Sequence, residues 1–274
     1  AQSCMCRARL HGEAWDLAAH WISAGERDSK KVALCLHGFG SDRCCAFWSK
    51  LWGRLHDAGY HILTFDMPGH GQSSAKCLPA RGAQDAELVL AVITAFADRR
   101  LGQISCFSDA GGSAAFIRAY TMRPAVFSGH HVMTNPVIAE IPPQFKDSLQ
   151  KHGADLFFLF ADGWSKSDIP FSIANCAKML AFSGEIADRM QLLTLIPPEP
   201  GQIASPGMKA MRAAEYLFGK SISMANVSKG PSFYSLLPSE ECFTELLSYL
   251  ESPRKQPVVD GGVTSAPVKT ALEM

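Results

Sequence analysis

Apolar and polar positions in the first half of the chain switch repeatedly between a period of two and a period near 3.6. "CMCRARL" (4–10) and "WDLAAHWI" (15–22) read as two strands joined as a hairpin through His11-Gly12. After the polar "SAGERDSKK", the run "VALCLHGFG" (32–40) reads as a buried strand that ends in a glycine-rich turn. "FWSKLWGRLHDAGY" places Trp48, Leu51, Leu55 and Ala58 at helical spacing, with Gly59 closing the helix. "HILTFDMPGHG" is a strand entering a turn, "DAELVLAVITAFADRR" an amphipathic helix and "QISCFS" a further strand. "AGGSAAFIRAYTM" is helical, and Arg123-Pro124 ends it because proline cannot continue the hydrogen-bond ladder.

Such alternation predicts an α/β protein with a mostly parallel central sheet and helices on both faces. "SGHHVMTN", "QLLTLIP" and "ISMANVS" supply later strands. Between the first two lie "PPQFKDSLQKHGADLFFLF" and "IANCAKMLAFSGEIADRM", too long for one crossover, which predicts a small helical cap inserted at about 138–190. "SEECFTELLSYL" is the last helix, with Ser239 as its cap and Glu240 and Glu241 in its first turn. The main domain is expected over 1–251, and 252–274, without periodicity, reads as a disordered tail.

Charge and composition narrow the functional classes. Lys plus Arg number 26, equal to Asp plus Glu, so no basic excess points to nucleic acid or an anionic membrane. The longest apolar runs are too short to span a bilayer, and the start shows no signal-peptide pattern. The nine cysteines are odd in number and irregularly spaced, which favours reduced thiols and a cytoplasmic setting over a disulfide framework. No paired Cys or His spacing predicts a metal, and no motif predicts a cofactor.

Three ordered stretches carry the candidate chemistry: "LCLHGFG", "FDMPGHGQSS" and "SCFSDAGGSAAF". Together they resemble the α/β-hydrolase family, in its serine esterase and lipase branch, over roughly 31–125, with weaker likeness to about 250. The resemblance implies that "LCLHGFG" is the strand and turn of an oxyanion hole, and that "CFSDAGG" is a nucleophile elbow. It places one oxyanion N–H on Phe39 and the other on the residue after the nucleophile, here Asp109. Gly38, Gly40 and Gly111 are its turn glycines.

Ser108 and Asp109 both compete for the nucleophile position. The elbow needs small residues two places either side. Ser108 has Cys106 and Ala110 there, whereas Asp109 has Phe107 and Gly111, so Ser108 is the expected nucleophile. Members with an aspartate nucleophile carry tryptophan where this chain has Ala110. Cys106 precedes the apex. The resemblance also calls for a histidine before the last helix. Matching "LLPSEECF" to that entry puts Phe233 in the histidine's place, and no histidine follows His152 anywhere in the chain. Glu199, in "PEPGQIASP", is the acid that the resemblance leaves available. His130 and His131 suit a strand, and His152 is a remote substitute base.

Loss of the histidine from a serine triad costs about 10⁶ in turnover. The expectation is therefore a weakly active or inactive hydrolase-fold protein that binds a small carbonyl-containing ligand or a protein partner. An active hydrolase with an atypical base and a non-catalytic interaction module are the alternatives.

Overall fold

In a computed structural model, we describe residues 2–24, 29–38, 41–44, 46–73, 83–97, 101–134, 142–152, 154, 156–161, 190–195 and 240–253. The early hairpin forms as expected. Strands β1 (Gln2–Leu10) and β2 (Glu13–Ile22) pair antiparallel in register Leu10↔Glu13. Their turn places both His11 (φ 50) and Gly12 (φ 81) at positive φ, the backbone that a tight two-residue hairpin requires.

From there the chain winds a parallel sheet. Strand β3 (Lys31–Leu36) leads through α1 (Ala46–Asp57) to β4 (Tyr60–Phe65), and α2 (Ala83–Ala95) leads to β5 (Gln103–Asp109). Helix α3 (Gly111–Met122) and a short 3₁₀ turn (Pro124–Val126) precede β6 (His131–Thr134). Helix α4 (Pro143–His152) connects to β7 (Leu156–Ala161); β8 (Met190–Leu195) and the late helix α5 (Glu240–Glu251) follow. The eight strands lie in the order β1-β2-β4-β3-β5-β6-β7-β8. β3 through β8 are parallel, and β2 joins β4 antiparallel.

Alternation along the strands makes two cores. Val32, Leu34 and Leu36 of β3, with Ile104 and Cys106 of β5, pack toward one face with α2, α3 and α4. Ala33, Cys35 and Phe107 face the opposite side, against Leu51 and Leu55 of α1 and Leu246, Tyr249 and Leu250 of α5. Strands β3 to β6 are buried on both faces, so they read as continuous apolar runs and not as an alternation.

One expectation needs correction. The segment 143–161, read as part of a helical cap, belongs to the sheet layer. α4 is an ordinary crossover helix packed on α3, and "LFFLFA" pairs with both β6 and β8. The remaining cap segment, the strand "ISMANVS" and the tail beyond Pro253 lie outside the described residues.

Candidate active site

The strand order decides where a site can form. From β3 the chain steps to β4 on one side, and then returns to β5 on the other. At such a reversal the connections leave in opposite directions, so the carboxyl ends of β3 and β5 border an open crevice where ligands bind in α/β sheets. Two turns meet there: His37-Gly38 after β3, and the β5–α3 junction.

The backbone of that junction moves the apex away from the expected residue. Ala110 holds φ 43 and ψ −114, and among the described non-glycine residues it shares positive φ only with His11. A residue with a Cβ enters this region at a cost of about 1–3 kcal/mol. Helix α3 begins at the very next residue. The elbow is therefore centred on Ala110, with Ser108 and Gly112 as the small residues on either side.

Ser108 belongs to β5 and is 0% exposed. Its Oγ lies 3.1 Å from the Ser113 Oγ and 3.5 Å from the Val132 carbonyl oxygen. Its hydroxyl thus points into a packed polar contact, two residues before the strained Ala110. The residue that follows the strained Ala110 is Gly111, the first of α3. Cys106 is also fully buried, and burial pushes its thiol well above the ordinary range. Phe39, Gly40, Glu199 and Phe233 lie outside the described residues.

Close approach explains the glycines. A Cβ on Gly112 would lie 2.7 Å from the Leu36 carbonyl oxygen and 2.8 Å from that of His37. Both obstacles are backbone, so neither can rotate aside. Gly112→Ala is expected to cost about 1–3 kcal/mol, read as a lower urea midpoint at unchanged m-value. A Cβ on Gly38 would meet the Ala110 Cβ at 2.7 Å and the Asp109 Oδ2 at 3.2 Å. The two turns are thus in direct contact.

Asp109 is the ionisable group nearest the apex in sequence. Thr134 Oγ1, at the end of β6, donates to its Oδ1 at 2.7 Å. Burial pushes the carboxyl up to about 6, against the opposing effect of the Thr134 hydroxyl and the Ala110 N–H. His37 is committed to structure. Its Nε2 accepts from the Met67 N–H at 2.9 Å, which leaves Nδ1–H to donate to the Gly38 carbonyl at 2.8 Å. Burial, reinforced by nearby His70, holds His37 below the usual imidazole range despite that bond to Gly38.

His131 opens β6, and His130 immediately precedes it. His131 is buried against Phe116, Tyr120 and Phe127, and its Nδ1 accepts from the Cys106 N–H at 3.2 Å. His130 Nε2 contacts the Ser252 carbonyl at 2.8 Å. His152 ends α4. Among the described residues no group of three or more His, Cys, Asp or Glu is placed to hold a metal ion. No helix among them is long and apolar enough to cross a membrane.

The reversed parallel sheet with a strained strand-to-helix elbow facing a glycine turn defines a class. The alpha/beta hydrolase family model matches residues 33–242, and the chain belongs to that family. Among solved structures it is similar to a CIB-like hydrolase from Thermoplasma acidophilum. The identity is 13% with a TM-score of 0.54, covering 80% of this chain and 99% of that one. It is likewise similar to the Pyrococcus furiosus esterase Pf2001, at 16% identity and a TM-score of 0.52, covering 91% and 90%. An uncharacterised Saccharomyces cerevisiae protein is 39% identical over 74 residues, 26% of this chain. That match spans only 23% of the yeast protein's length.

Proposed function

We propose that this chain is a catalytically silent member of its family, in which the crevice between β3 and β5 binds a small carbonyl-containing ligand without turning it over. The observation that carries this reading is alanine at the strained apex of the elbow. A methyl group cannot attack a carbonyl or form an acyl intermediate. The second support is the sequence itself, which has no histidine after residue 152 to act as a base from the family's usual place. Two of the three triad functions are then missing by separate changes.

What remains is the binding half of the site. The elbow keeps its shape at a cost in backbone strain, Gly112 and Gly38 keep the two turns in contact, and the N–H of Gly111 follows the apex. An oxyanion turn needs no nucleophile in order to accept the oxygen of a carbonyl.

Intact mass after incubation with a fluorophosphonate, together with p-nitrophenyl acetate turnover, tests the reading. The expected result is no added mass and no turnover above that of Ser108→Ala. Labelling that disappears in Ser108→Ala would return the nucleophile to Ser108 and end the silent reading. Ala110→Ser restores a hydroxyl at the apex but no base. It is expected to stay within about tenfold of wild type, because the absent histidine alone is worth about 10⁶. A gain of a hundredfold or more would mean that the crevice holds a working base.

A further inference from the structure

Strand β1 is the outer edge of the sheet, and among the described residues no strand pairs with its far side. In a two-residue hairpin the residues flanking the turn form a hydrogen-bonded pair, and such pairs then alternate along the ladder. Leu10 and Glu13 are that pair here, so Leu10, Ala8, Cys6 and Cys4 exchange their backbone bonds with β2. The N–H and C=O groups of Arg9, Arg7, Met5 and Ser3 consequently point away from β2, toward the open edge. All four residues are exposed, and Met5 is 61% exposed.

Proteins ordinarily blunt such an edge with a short strand, a proline, a bulge or a projecting charge. β1 is nine residues long, contains no proline, and keeps an unbroken register against β2 from Gln2↔Trp21 to Leu10↔Glu13. The charge of Arg7 is drawn back over β2 by Asp16, with Nε to Oδ1 at 2.7 Å and a terminal nitrogen to Oδ2 at 3.2 Å. Only Arg9, at the hairpin end, is left as a charge on the edge. Helix α2 packs on the core face of β1, so a firmly backed element carries the row of free backbone groups.

We propose that β1 pairs antiparallel with the β1 of a second copy of this chain, across a two-fold axis at Cys6, joining two eight-stranded sheets into one. In this register the strand is complementary to itself. Met5 lies opposite the partner's Arg7 and Ser3 opposite the partner's Arg9, so all four outward residues of each strand exchange both backbone bonds. The exposed Met5 side chain packs on the methylene stem of the partner's Arg7. The two Arg9 side chains stand six residues apart along the strand, about 20 Å, well beyond the screening length of about 8 Å at physiological salt. Neighbouring registers are worse. An axis at Arg7 sets two guanidinium groups directly opposite each other, and an axis at Met5 leaves Arg9 beyond the end of the partner strand. Strands β2 and β4 separate this edge from the β3–β5 crevice, so the dimer forms whether or not the crevice is occupied.

Sedimentation velocity on the full chain, from about 1 to about 100 μM, reads the association. A concentration-dependent dimer is expected and nothing larger, because a two-fold contact closes on itself. Met5→Lys sets an ammonium group against the partner's Arg7 and is expected to weaken the dimer at least tenfold. Met5→Pro removes an outward N–H but none of the bonds to β2, and is expected to abolish the dimer while the monomer stays folded. Amide exchange of the ¹⁵N-labelled chain locates the contact. The Met5 and Arg7 amides are expected to be protected only at the high concentration, and those of Cys6 and Ala8 at both. A monomer at about 100 μM overturns the proposal, as does an oligomer beyond the dimer. Wild-type association of Met5→Lys overturns it whatever the proline variant does, and so do Met5 and Arg7 amides that exchange alike at both concentrations.

Discussion

Arg43→Met is expected to lower the free energy of unfolding by about 3–5 kcal/mol, because it leaves the Asp66 carboxylate buried without its cation. The Arg43 side chain is 8% exposed and that of Asp66 0%. One guanidinium nitrogen donates to Asp66 Oδ2, and the other donates to Gln72 Oε1 at 2.6 Å. Backbone groups converge on the same carboxylate. The Arg43 N–H donates to Oδ1 and the Gln72 N–H to Oδ2, each at 2.7 Å. The clasp therefore joins the loop after β3 to the loop after β4, beside the turn that borders the crevice. Asp66→Ala is expected to cost at least as much as Arg43→Met, since it strands two backbone donors as well as the guanidinium. Urea unfolding followed by tryptophan fluorescence reads both. The exposed Arg7–Asp16 pair, at 2.7 Å, is the control. Arg7→Met is expected to cause no measurable change, because water already solvates and screens that pair. If Arg43→Met behaves like Arg7→Met, the clasp does not hold the loops.

The sheet was legible in the sequence because its strands are short apolar runs closed by breakers, and each helix carries its own period. β1 to β6 and α1 to α3 follow from those local signals alone. β7 was not legible in the same way. "LFFLFA" is apolar on both faces, and such a run cannot be told from a buried helix segment by periodicity. The preceding α4 has its own helical pattern, so the two together looked like one helical insertion.

The site failed to read through for a different reason. Ser108-Asp109-Ala110-Gly111-Gly112 offers small residues two places either side of Ala110 as well as of Ser108. A search limited to reactive side chains passes over alanine, although Gly112 was the available signal. Only the backbone decides between the registers: positive φ at Ala110, and carbonyl oxygens under 3 Å from a Cβ on Gly112. The lack of any histidine beyond His152, by contrast, is visible in the order of the residues and needs no register at all.

The Asp109→Asn variant is expected to be about 3 kcal/mol more stable than the wild type at pH 7, and to lose that advantage near pH 4. Burial raises the folded carboxyl from its ordinary value of 3.8 to about 6. Between those values the folded state binds more protons than the unfolded state, so unfolding releases a proton and stability falls as pH rises. The loss begins near pH 4, where the unfolded carboxyl is ionising and the folded one is still protonated, and is complete just above pH 6. That difference in pKa corresponds to about 3 kcal/mol. Causes of the shift are local: burial raises it, and the Thr134 hydroxyl and Ala110 N–H oppose it, with no charged group from β3, β6 or α3 among the described residues contributing. Other carboxyls give the protein its own pH dependence, so the informative quantity is the difference between variant and wild type at each pH. That difference, from urea midpoints and m-values, should rise from near zero at pH 4 to its plateau by pH 7. A flat difference would mean that Asp109 is solvated and keeps an ordinary carboxyl pKa.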